Sequence, residues 1–366
     1  MHRVSTLAIA IALAASLLLA SSPATAQYKQ VNLVSDLPGQ AKYTDTNLLD
    51  PWGLAFLPGE HFLTVNARSG TGTFYGPDGK PVPLSITVPP APSQPIGPVG
   101  NPTGLVANCT SQFVISKNGK SKPALFLIDT LDGTISGWNP EVDPTEAVIV
   151  IDNSNETPFP ASYTALAIGR NSNGQNVIYA ADSGSGPATS NNRIDMYDGS
   201  FHYLGSFGDP SVPSNMTVFG IQNVNRKLYV TYAAFTPING GVVDVFDTDG
   251  NLLQRFAAND PSGPLEEPWP VTLAPDNFGQ FSNALLVGNF GDGRINAYHR
   301  KTGKFLGQLA DKHGNPLSSG LGLWALGFRP GQEKDEPAEL FFTSGINGEN
   351  DGLLGFIVPT GHGPKH

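Results

Sequence analysis

The sequence predicts an all-β chain that folds as a single six-bladed β-propeller, with the ring closed by the N-terminal strand. Three observations predict it: a pattern repeated six times, short strands separated by turn residues, and a last unit that lacks one strand. The chain has 42 glycines and 32 prolines among 366 residues, and they separate apolar segments instead of forming low-complexity tracts. Helix-period stretches are almost absent after the first 26 residues, so many short strands joined by tight turns are expected.

The repeat is marked by a tryptophan or a threonine that precedes apolar alternation. Residues 50–58 read DPWGLAFLP, residues 268–275 read PWPVTLAP and residues 323–330 read LWALGFRP. Three related segments carry threonine at the marker. A period of about fifty residues is that of a propeller blade, so the marker segments are expected to be the innermost strands. The markers, at intervals of 51, 61, 53, 52 and 55 residues, are Trp52, Thr103, Thr164, Thr217, Trp269 and Trp324.

Each unit has the same internal order after its marker strand. In the fifth unit, the second strand is ALLVGN and the polar loop is FGDG. The third strand is RINAYH and the hairpin turn is RKTG. Asp-Gly and Thr-Gly pairs favour such hairpin turns. The sixth unit runs from LLGFIV into the tail and has no fourth strand. The segment YKQVNLVSD, residues 28–36, is expected to supply that strand, which would close the ring and remove an open sheet edge.

Residues 1–26 are predicted to be a secretory signal peptide. They begin with His2 and Arg3, continue with TLAIAIALAASLLLA and end in ATA before Gln27, which is the order of a cationic start, an apolar core and a cleavage site. The apolar run is too short to span a membrane comfortably, and no transmembrane anchor is expected. The predicted organisation is a signal peptide (1–26, cleaved near Ala26), a propeller (27–360) and a polar tail (361–366). The mature protein is expected to be secreted or periplasmic, and monomeric.

Charge argues against some partners, and cysteine content excludes some sites. The formal net charge is −10, and an acidic chain without a basic cluster is not expected to bind nucleic acid or an anionic membrane. Cys109 is the single cysteine, so an intramolecular disulfide and a Cys/His metal cluster are both excluded. Cys109 lies beside strand-like sequence and is expected to be buried.

Several segments resemble known propellers. VIYAADSGSGPATSNNRIDMYD, residues 177–198, resembles the NHL-repeat signature, and ALLVGNFGDGRINAYH, residues 284–299, is a shorter version. The chain is also similar to an uncharacterised family of exported bacterial propeller proteins, over nearly all of residues 28–358. The segments that carry this similarity are VNLVSDLPGQA, LLDPWGLAF, NPTGLV and VGNFGDGRINAY. This resemblance implies the six-bladed fold and no established activity.

A distant resemblance connects the chain with the gluconolactonase and senescence-marker propellers. Those metal-dependent lactonases hold one divalent cation at the central channel with a Glu, an Asn and an Asp. This chain has no glutamate at the start of its first marker strand. The resemblance therefore does not carry the activity over.

One face of the predicted propeller collects the candidate ligand residues, because the loops that enter the inner strands and those that follow the second strands share a face. The three tryptophans could form a platform for a sugar or a flat ligand, or they could pack between neighbouring blades. The ligand-face candidates are Trp52, Arg68, Trp269, Asp292 and Trp324, and Asp50, Asn101, Glu266, Glu267 and Asn347 share that face.

Four oxygen-bearing side chains at the ends of second strands are candidate metal ligands: Asn66, Asp129, Asp182 and Asn289. If they converge on one axis they could hold Ca²⁺ or another divalent cation, because Ca²⁺ prefers carboxylate and amide oxygens. Alternatively each of them caps its own turn through a local hydrogen bond. No cofactor is certain from the sequence.

Two functions follow from these observations. The first is an exported propeller that binds a small ligand or an envelope protein on its loop-rich face. The second is a divalent-metal-dependent hydrolase, lactonase or lyase, in which the cation at the central channel would polarise a carbonyl or activate a water. The sequence has no G-x-S-x-G nucleophile motif, and among the six histidines after residue 26 His299 is the only plausible catalytic one. No catalytic residue is assigned.

Overall fold

Six twisted sheets are arranged as the blades of a propeller in the computed structural model, which describes residues 27–57, 61–92, 97–185, 191–234, 240–259, 263–331 and 336–360. The all-β six-bladed fold predicted from the sequence is confirmed. The predicted signal peptide and the polar tail lie outside the described residues. No helix in the described ranges has the length and apolarity that crossing a membrane requires.

The first half of the chain forms three blades after two leading strands. The leading strands are β1 (Tyr28–Ser35) and β2 (Tyr43–Thr44). Blade 1 contains β3 (Pro51–Phe56), β4 (Phe62–Asn66), β5 (Thr71–Tyr75) and β6 (Pro81–Thr87). Blade 2 contains β7 (Pro102–Ala107), β10 (Phe126–Thr130), β11 (Thr134–Trp138) and β12 (Val148–Asp152), with an inserted hairpin of β8 (Val114–Lys117) and β9 (Lys120–Pro123). Blade 3 contains β13 (Tyr163–Arg170), β14 (Asn176–Asp182), β15 (Arg193–Asp198) and β16 (Tyr203–Phe207).

The second half forms the other three blades. Blade 4 contains β17 (Thr217–Val224), β18 (Lys227–Ala233), β19 (Gly241–Asp247) and β20 (Leu252–Asn259). Blade 5 contains β21 (Pro268–Leu273), a 3₁₀ turn (Gly279–Phe281), β22 (Leu285–Asn289), β23 (Ile295–Tyr298) and β24 (Phe305–Gln308). Blade 6 contains β25 (Leu323–Phe328), β26 (Leu340–Gly345), one helical turn α1 (Ile346–Glu349) and β27 (Asp351–Pro359).

The N-terminal strand closes the ring as predicted. Strand β1 pairs antiparallel with β27 along its length, from Tyr28 opposite Pro359 to Ser35 opposite Leu353. The buried Tyr28 hydroxyl donates to the Phe278 carbonyl at 2.9 Å, which ties this strand to blade 5. Strand β2 adds a fifth, parallel strand outside β1, which the sequence did not predict.

Every inner strand has a register shift near its marker residue. The shift leaves Trp52 unpaired in blade 1 and Trp324 unpaired in blade 6. In blade 4 Thr217 is paired with Ala233, and the unpaired residue is Phe219. The predicted marker Thr217 is therefore two residues away from the structural equivalent, because the aromatic Phe219, and not a threonine, takes the place that tryptophan has in blades 1 and 6.

Threonine hydroxyls link neighbouring inner strands at the level of these shifts. Thr103 donates to the Tyr163 carbonyl at 2.8 Å, and Thr164 donates to the Phe219 carbonyl at 2.8 Å. These two bonds tie blade 2 to blade 3 and blade 3 to blade 4. They explain why two marker positions carry threonine where others carry tryptophan.

Apolar residues pack between neighbouring blades and form the core. In one such layer, Leu127 and Ile135 of blade 2 pack with Leu166 and Ile178 of blade 3. Cys109, which was expected to be buried, is exposed, because it lies in the loop that leaves β7 for the inserted hairpin. Among the described residues the hairpin occurs in blade 2 only, so the repeat could not reveal it.

Candidate functional site

Four inner-strand aromatic residues meet at the axis, on the face where the inner strands begin, which we call the upper face. Trp52 and Trp324 stack with ring centroids 3.6 Å apart and an interplanar angle of 21°. Trp269 meets both edge-on, at 5.3 and 4.7 Å. Phe219 stacks on Trp269 at 4.2 Å. We call these four rings the aromatic cluster.

The aromatic cluster is almost completely buried. Trp52, Trp269 and Trp324 are 9%, 6% and 5% exposed, since their ring faces cover one another. Phe290, from the loop after β22, adds a further ring 4.5 Å from Trp324. This burial favours the packing alternative over an open platform for the three tryptophans.

Asp50 joins two of the tryptophans through its carboxylate. The Trp52 indole N–H donates to Oδ2 at 2.8 Å, and the Trp324 indole N–H donates to Oδ1 at 2.7 Å. Burial raises the pKa of Asp50 to about 7, although both indole bonds oppose the rise. A Cβ on Gly345 would lie 2.2 Å from Oδ1 of Asp50, so the carboxylate needs glycine at that position.

The central channel ends at the aromatic cluster. It encloses about 350 Å³ and is lined by the six inner strands, from the level of Trp52 to that of Phe56 and Phe328. The lining side chains are mainly small or apolar, and polar groups come from Thr103, Thr164, Gln222, Asn223 and Thr272. The aromatic cluster therefore separates the channel from the upper face.

Five carboxylates surround the aromatic cluster on the upper face. Burial raises the pKa of Glu267, and Glu266 and Glu349 raise it further. Burial raises the pKa of Glu349, which Arg68 opposes. Burial and the neighbouring Asp292 raise the pKa of Glu266, which Arg294 opposes. We call this set the acidic mouth: Asp50, Glu266, Glu267, Asp292 and Glu349.

Two of the predicted ligand-face residues contribute to the acidic mouth in different ways. Arg68 follows β4, and its Nε donates to the backbone carbonyl of Glu349. This contact holds α1, in which Asn347 and Gly348 have left-handed backbone angles. Asp292 accepts a bond from the Asn289 amide at 3.0 Å. The structure therefore places Arg68, Asp292 and the tryptophans in one region.

The four predicted metal ligands make local hydrogen bonds instead of lining the channel. Asn66 donates to Thr71 and Thr73 within its own blade. Asn289 donates to the Pro264 carbonyl at 2.9 Å and to Asp292. Both arrangements fit the alternative in which these side chains cap local structure.

Asp129 differs from the other three in register. Asn66, Asp182 and Asn289 lie opposite Pro51, Tyr163 and Pro268, the first paired residues of their inner strands. In blade 2 the residue opposite Pro102 is Thr130, so Asp129 points to the other face of its sheet. Burial raises the pKa of Asp129 to about 7, against hydrogen bonds from Thr103 and Gly104.

Asp182 belongs to an acidic cluster with Glu156 and Asp195. Ligand atoms of the three carboxylates lie within 4.8 Å of one another, which is close enough for a metal ion. Arg193 stands among them: it donates to both Glu156 oxygens at 2.8 Å and to Asp195 at 2.7 Å, and it lies 3.3 Å from Asp182. The guanidinium therefore occupies the position at which a cation would bind.

Sequence reasoning missed Phe219, Phe290 and Glu349. Phe219 could have been found by aligning the blades on the small residue that follows the marker, since Gly220 follows it as Gly53 follows Trp52. Phe290 and Glu349 lie in loops that differ from blade to blade. No repeated signal could have identified them.

The six blades define a β-propeller protein. The chain belongs to the same family as uncharacterised protein R648 of Acanthamoeba polyphaga mimivirus, to which it is 32% identical over 342 residues, or 89% of this chain and 78% of R648. Uncharacterised protein L690 of the same virus is 28% identical over 351 residues, which cover 92% of this chain and 87% of L690. No protein-family model matches the chain.

A solved structure of similar fold is the virginiamycin B lyase of Staphylococcus aureus. It aligns with a TM-score of 0.50 and 12% identity over 91% of this chain and 99% of the lyase. At that identity the likeness supports the propeller fold alone. The bacterial family, the NHL repeats and export stay predictions.

Proposed function

We propose that this protein is a binding propeller whose acidic mouth recognises a cationic group on a small ligand or on a protein partner. The observation that carries the proposal is the placement of Asp50 and Glu267. Each precedes the first residue of an inner strand and has a positive φ, 52° and 53°. Blade 6 has Gly322, with φ 98°, at the corresponding position.

A positive φ favours glycine and costs other residues about 1–3 kcal/mol. Two blades therefore hold a carboxylate where the backbone would favour glycine. Strain of this kind persists where surrounding structure imposes it and is concentrated at functional sites. Both carboxylates lie beside the aromatic cluster, which makes the upper mouth the best candidate for a ligand site.

The charge balance defines the chemistry of the ligand. Five carboxylates of the acidic mouth face the two guanidinium groups of Arg68 and Arg294. Burial raises the pKa of Glu267 most, and the neighbouring carboxylates Glu266 and Glu349 raise it further. This repulsion indicates that the negative charge at the mouth is not fully compensated. A bound cation would lower this repulsion, and the donors of an ammonium or guanidinium group would form charge-assisted hydrogen bonds with the carboxylates.

The proposal is tested by titrating the protein with spermidine, tetramethylammonium and a lysine-rich peptide, with indole fluorescence and calorimetry as readouts. We expect binding to at least one cation, with a fluorescence change, because three of the four tryptophans lie in the aromatic cluster. Binding should weaken at high salt. A lack of binding to all three probes at low salt would refute the cationic ligand.

Two variants separate binding from folding. Glu267→Gly removes a carboxylate and relieves the positive φ, so it should leave stability unchanged or raise it by up to about 1 kcal/mol while weakening binding. Glu141→Gln is the matched control, because Glu141 is exposed and pairs with Lys122 in blade 2. If Glu267→Gly binds the cation as tightly as the control, the mouth is not the site.

A second candidate function, a metal-dependent enzyme, rests on the Glu156, Asp182 and Asp195 cluster. Its three carboxylates are spaced for a cation. Because Arg193 pairs with two of them at 2.7–2.8 Å, a divalent ion would have to displace that guanidinium. This contact makes cation recognition at the acidic mouth the better-supported function.

A further inference from the structure

The most exposed apolar side chains are concentrated on one edge of the propeller. Eight large apolar side chains of the described ranges are prominently exposed, and six of them lie in blades 3, 4 and 5. They form three adjacent pairs at the start of the fourth strands, with exposures of 41–56%: Tyr203 and Leu204, Leu252 and Leu253, and Phe305 and Leu306. We call these the apolar pairs.

The apolar pairs occupy equivalent positions. Tyr203, Leu252 and Phe305 lie opposite the third-strand aromatics Tyr197, Phe246 and Tyr298. In each blade the ladder then skips the second member of the pair, which is the signature of a β-bulge. Bulges re-aim side chains at sheet edges, so two successive apolar residues can both be exposed.

The apolar pairs lie on the face opposite the acidic mouth, where the inner strands end, which we call the lower face. Inner strands begin at the upper face, and successive strands of a blade are antiparallel, so each fourth strand begins at the lower face. Equivalent positions in blades around one axis lie in a common plane. A flat surface can therefore meet all three pairs together.

Basic side chains accompany the apolar pairs of blades 4 and 5. Arg226 lies in the lower turn between β17 and β18, and Lys227 is the first residue of β18. Arg300, Lys301 and Lys304 lie in the lower turn between β23 and β24. All five side chains are exposed. Within the described ranges none of the five forms an ion pair. Basic side chains grouped in two turns of a chain of net charge −10 are a local feature that the whole-chain value conceals.

The basic turn of blade 5 lies against the apolar strand of blade 4. A Cβ on Gly303 would lie 1.8 Å from the Phe256 carbonyl of β20, so the turn packs closely on the strand that begins with Leu252 and Leu253. The end of β19 and the turn that follows it in blade 4 add two aspartates, Asp247 and Asp249. Asp247 accepts hydrogen bonds from the backbone of its own turn. Asp198 ends β15 in blade 3 and Asp276 follows β21 in blade 5, both at the lower face, so the five cations exceed these four carboxylates by one.

We propose that the lower edge of blades 3 to 5 docks on an anionic lipid surface. The apolar pairs would enter the boundary between headgroups and acyl chains, and Arg226, Lys227, Arg300, Lys301 and Lys304 would face the anionic headgroups. A second copy of this chain is a poorer occupant, because an isologous contact would bring the same basic turns together. This docking is independent of cation recognition at the acidic mouth.

The test is co-sedimentation of the protein with vesicles of phosphatidylcholine alone and of phosphatidylcholine with about 25% phosphatidylserine. We expect binding to the anionic vesicles that decreases as salt increases, and little binding to the neutral ones. Failure to bind anionic vesicles at low salt would overturn the proposal. Equal binding to both vesicles would overturn the role of the basic turns.

Two double variants and two controls assign the effect to this edge. Lys301→Gln with Lys304→Gln should weaken binding about fivefold for each lysine removed. Leu253→Gln with Leu306→Gln should weaken it at least about tenfold, because each leucine loses apolar burial. Leu321→Gln and Lys120→Gln, exposed residues elsewhere, should bind like the unmodified protein. Circular dichroism melting curves verify that all variants fold.

Two further outcomes would reassign the edge and overturn the lipid proposal. Binding to poly-glutamate but not to vesicles would indicate an acidic protein partner. Concentration-dependent sedimentation that Leu306→Gln abolishes would indicate a second copy of the chain.

Discussion

Replacing Asp50 by asparagine should change how stability depends on pH. Burial raises the pKa of the folded-state carboxyl from 3.8 to about 7. The folded protein therefore retains this proton where the unfolded chain has lost it. The stabilisation from Asp50 is fully present below about pH 4 and is lost as the pH rises towards 7. Asparagine has no such proton, so the stability difference between the two proteins should vary over this range.

The magnitude follows from the size of the pKa shift. A shift of about three pKa units at 1.36 kcal/mol per unit corresponds to about 4 kcal/mol. Between about pH 4 and about pH 8, the unfolding free energy of the unmodified protein minus that of Asp50→Asn should fall by that order. A constant offset is also expected, because an asparagine oxygen can accept only one of the two indole bonds in the same geometry.

The assay is denaturant unfolding followed by tryptophan fluorescence at several pH values. Asp143→Asn is a control of opposite sign, because hydrogen bonds from Lys117 and from the Thr145 N–H lower the pKa of Asp143 to about 2. Its contribution to stability is present above pH 3.8 and is lost as the pH falls. If the difference for Asp50→Asn does not vary with pH, the carboxyl does not carry a raised pKa and our account of the indole–carboxylate contact fails.

Three other perturbations test the fold and the clusters. Trp269→Ala should destabilise the fold by about 3–5 kcal/mol, because the ring is 6% exposed and a cavity would remain; a loss below about 1 kcal/mol in denaturant unfolding would favour an exposed platform. Deletion of residues 27–36 should abolish soluble protein, whereas removal of residues 361–366 should leave Tm unchanged; a β1 deletion that melts normally contradicts ring closure. Calorimetry should show stronger Ca²⁺ binding by Arg193→Gln than by the unmodified protein, since the variant removes the guanidinium from the carboxylate cluster. The opposite result would be tight binding by the unmodified protein that Asp182→Asn abolishes, which would show that Arg193 does not block the ion.

The fold could be predicted because its signals are local and repeated. Each blade repeats a marker strand, a second strand, a polar loop and a hairpin, so the six units together indicate the architecture even where the marker of one blade is misplaced, as in blade 4. Ring closure was predictable because the last unit lacks a strand that residues 28–36 can supply. Strand β2 and the β8–β9 hairpin occur once each in the part of the chain that the structure describes. A single insertion has no copy in the other blades by which it could be recognised.

The position of Asp129 could not be predicted, because a one-residue difference in register reverses the face of a strand. Asp129 and Thr130 are the last two residues of β10, and a carboxylate is the better metal ligand of the two side chains. The register shift between Ile128 and Thr130 instead places Thr130 opposite Pro102. Bulge positions depend on the whole ladder, so the residue types alone did not determine which side chain takes the equivalent position.

The geometry of the acidic mouth could not be predicted either, because it depends on contacts between blades that are distant in sequence. The sequence shows an acid–proline–tryptophan triplet at Asp50 and again at Glu267, and this repetition was visible. It does not show that both acids have a positive φ, because a residue that precedes proline is normally extended. Nor does it show that Trp52 of blade 1 and Trp324 of blade 6 donate to a single carboxylate. That contact exists only because ring closure makes the first and last blades neighbours, so the site depends on the closure that the N-terminal strand provides.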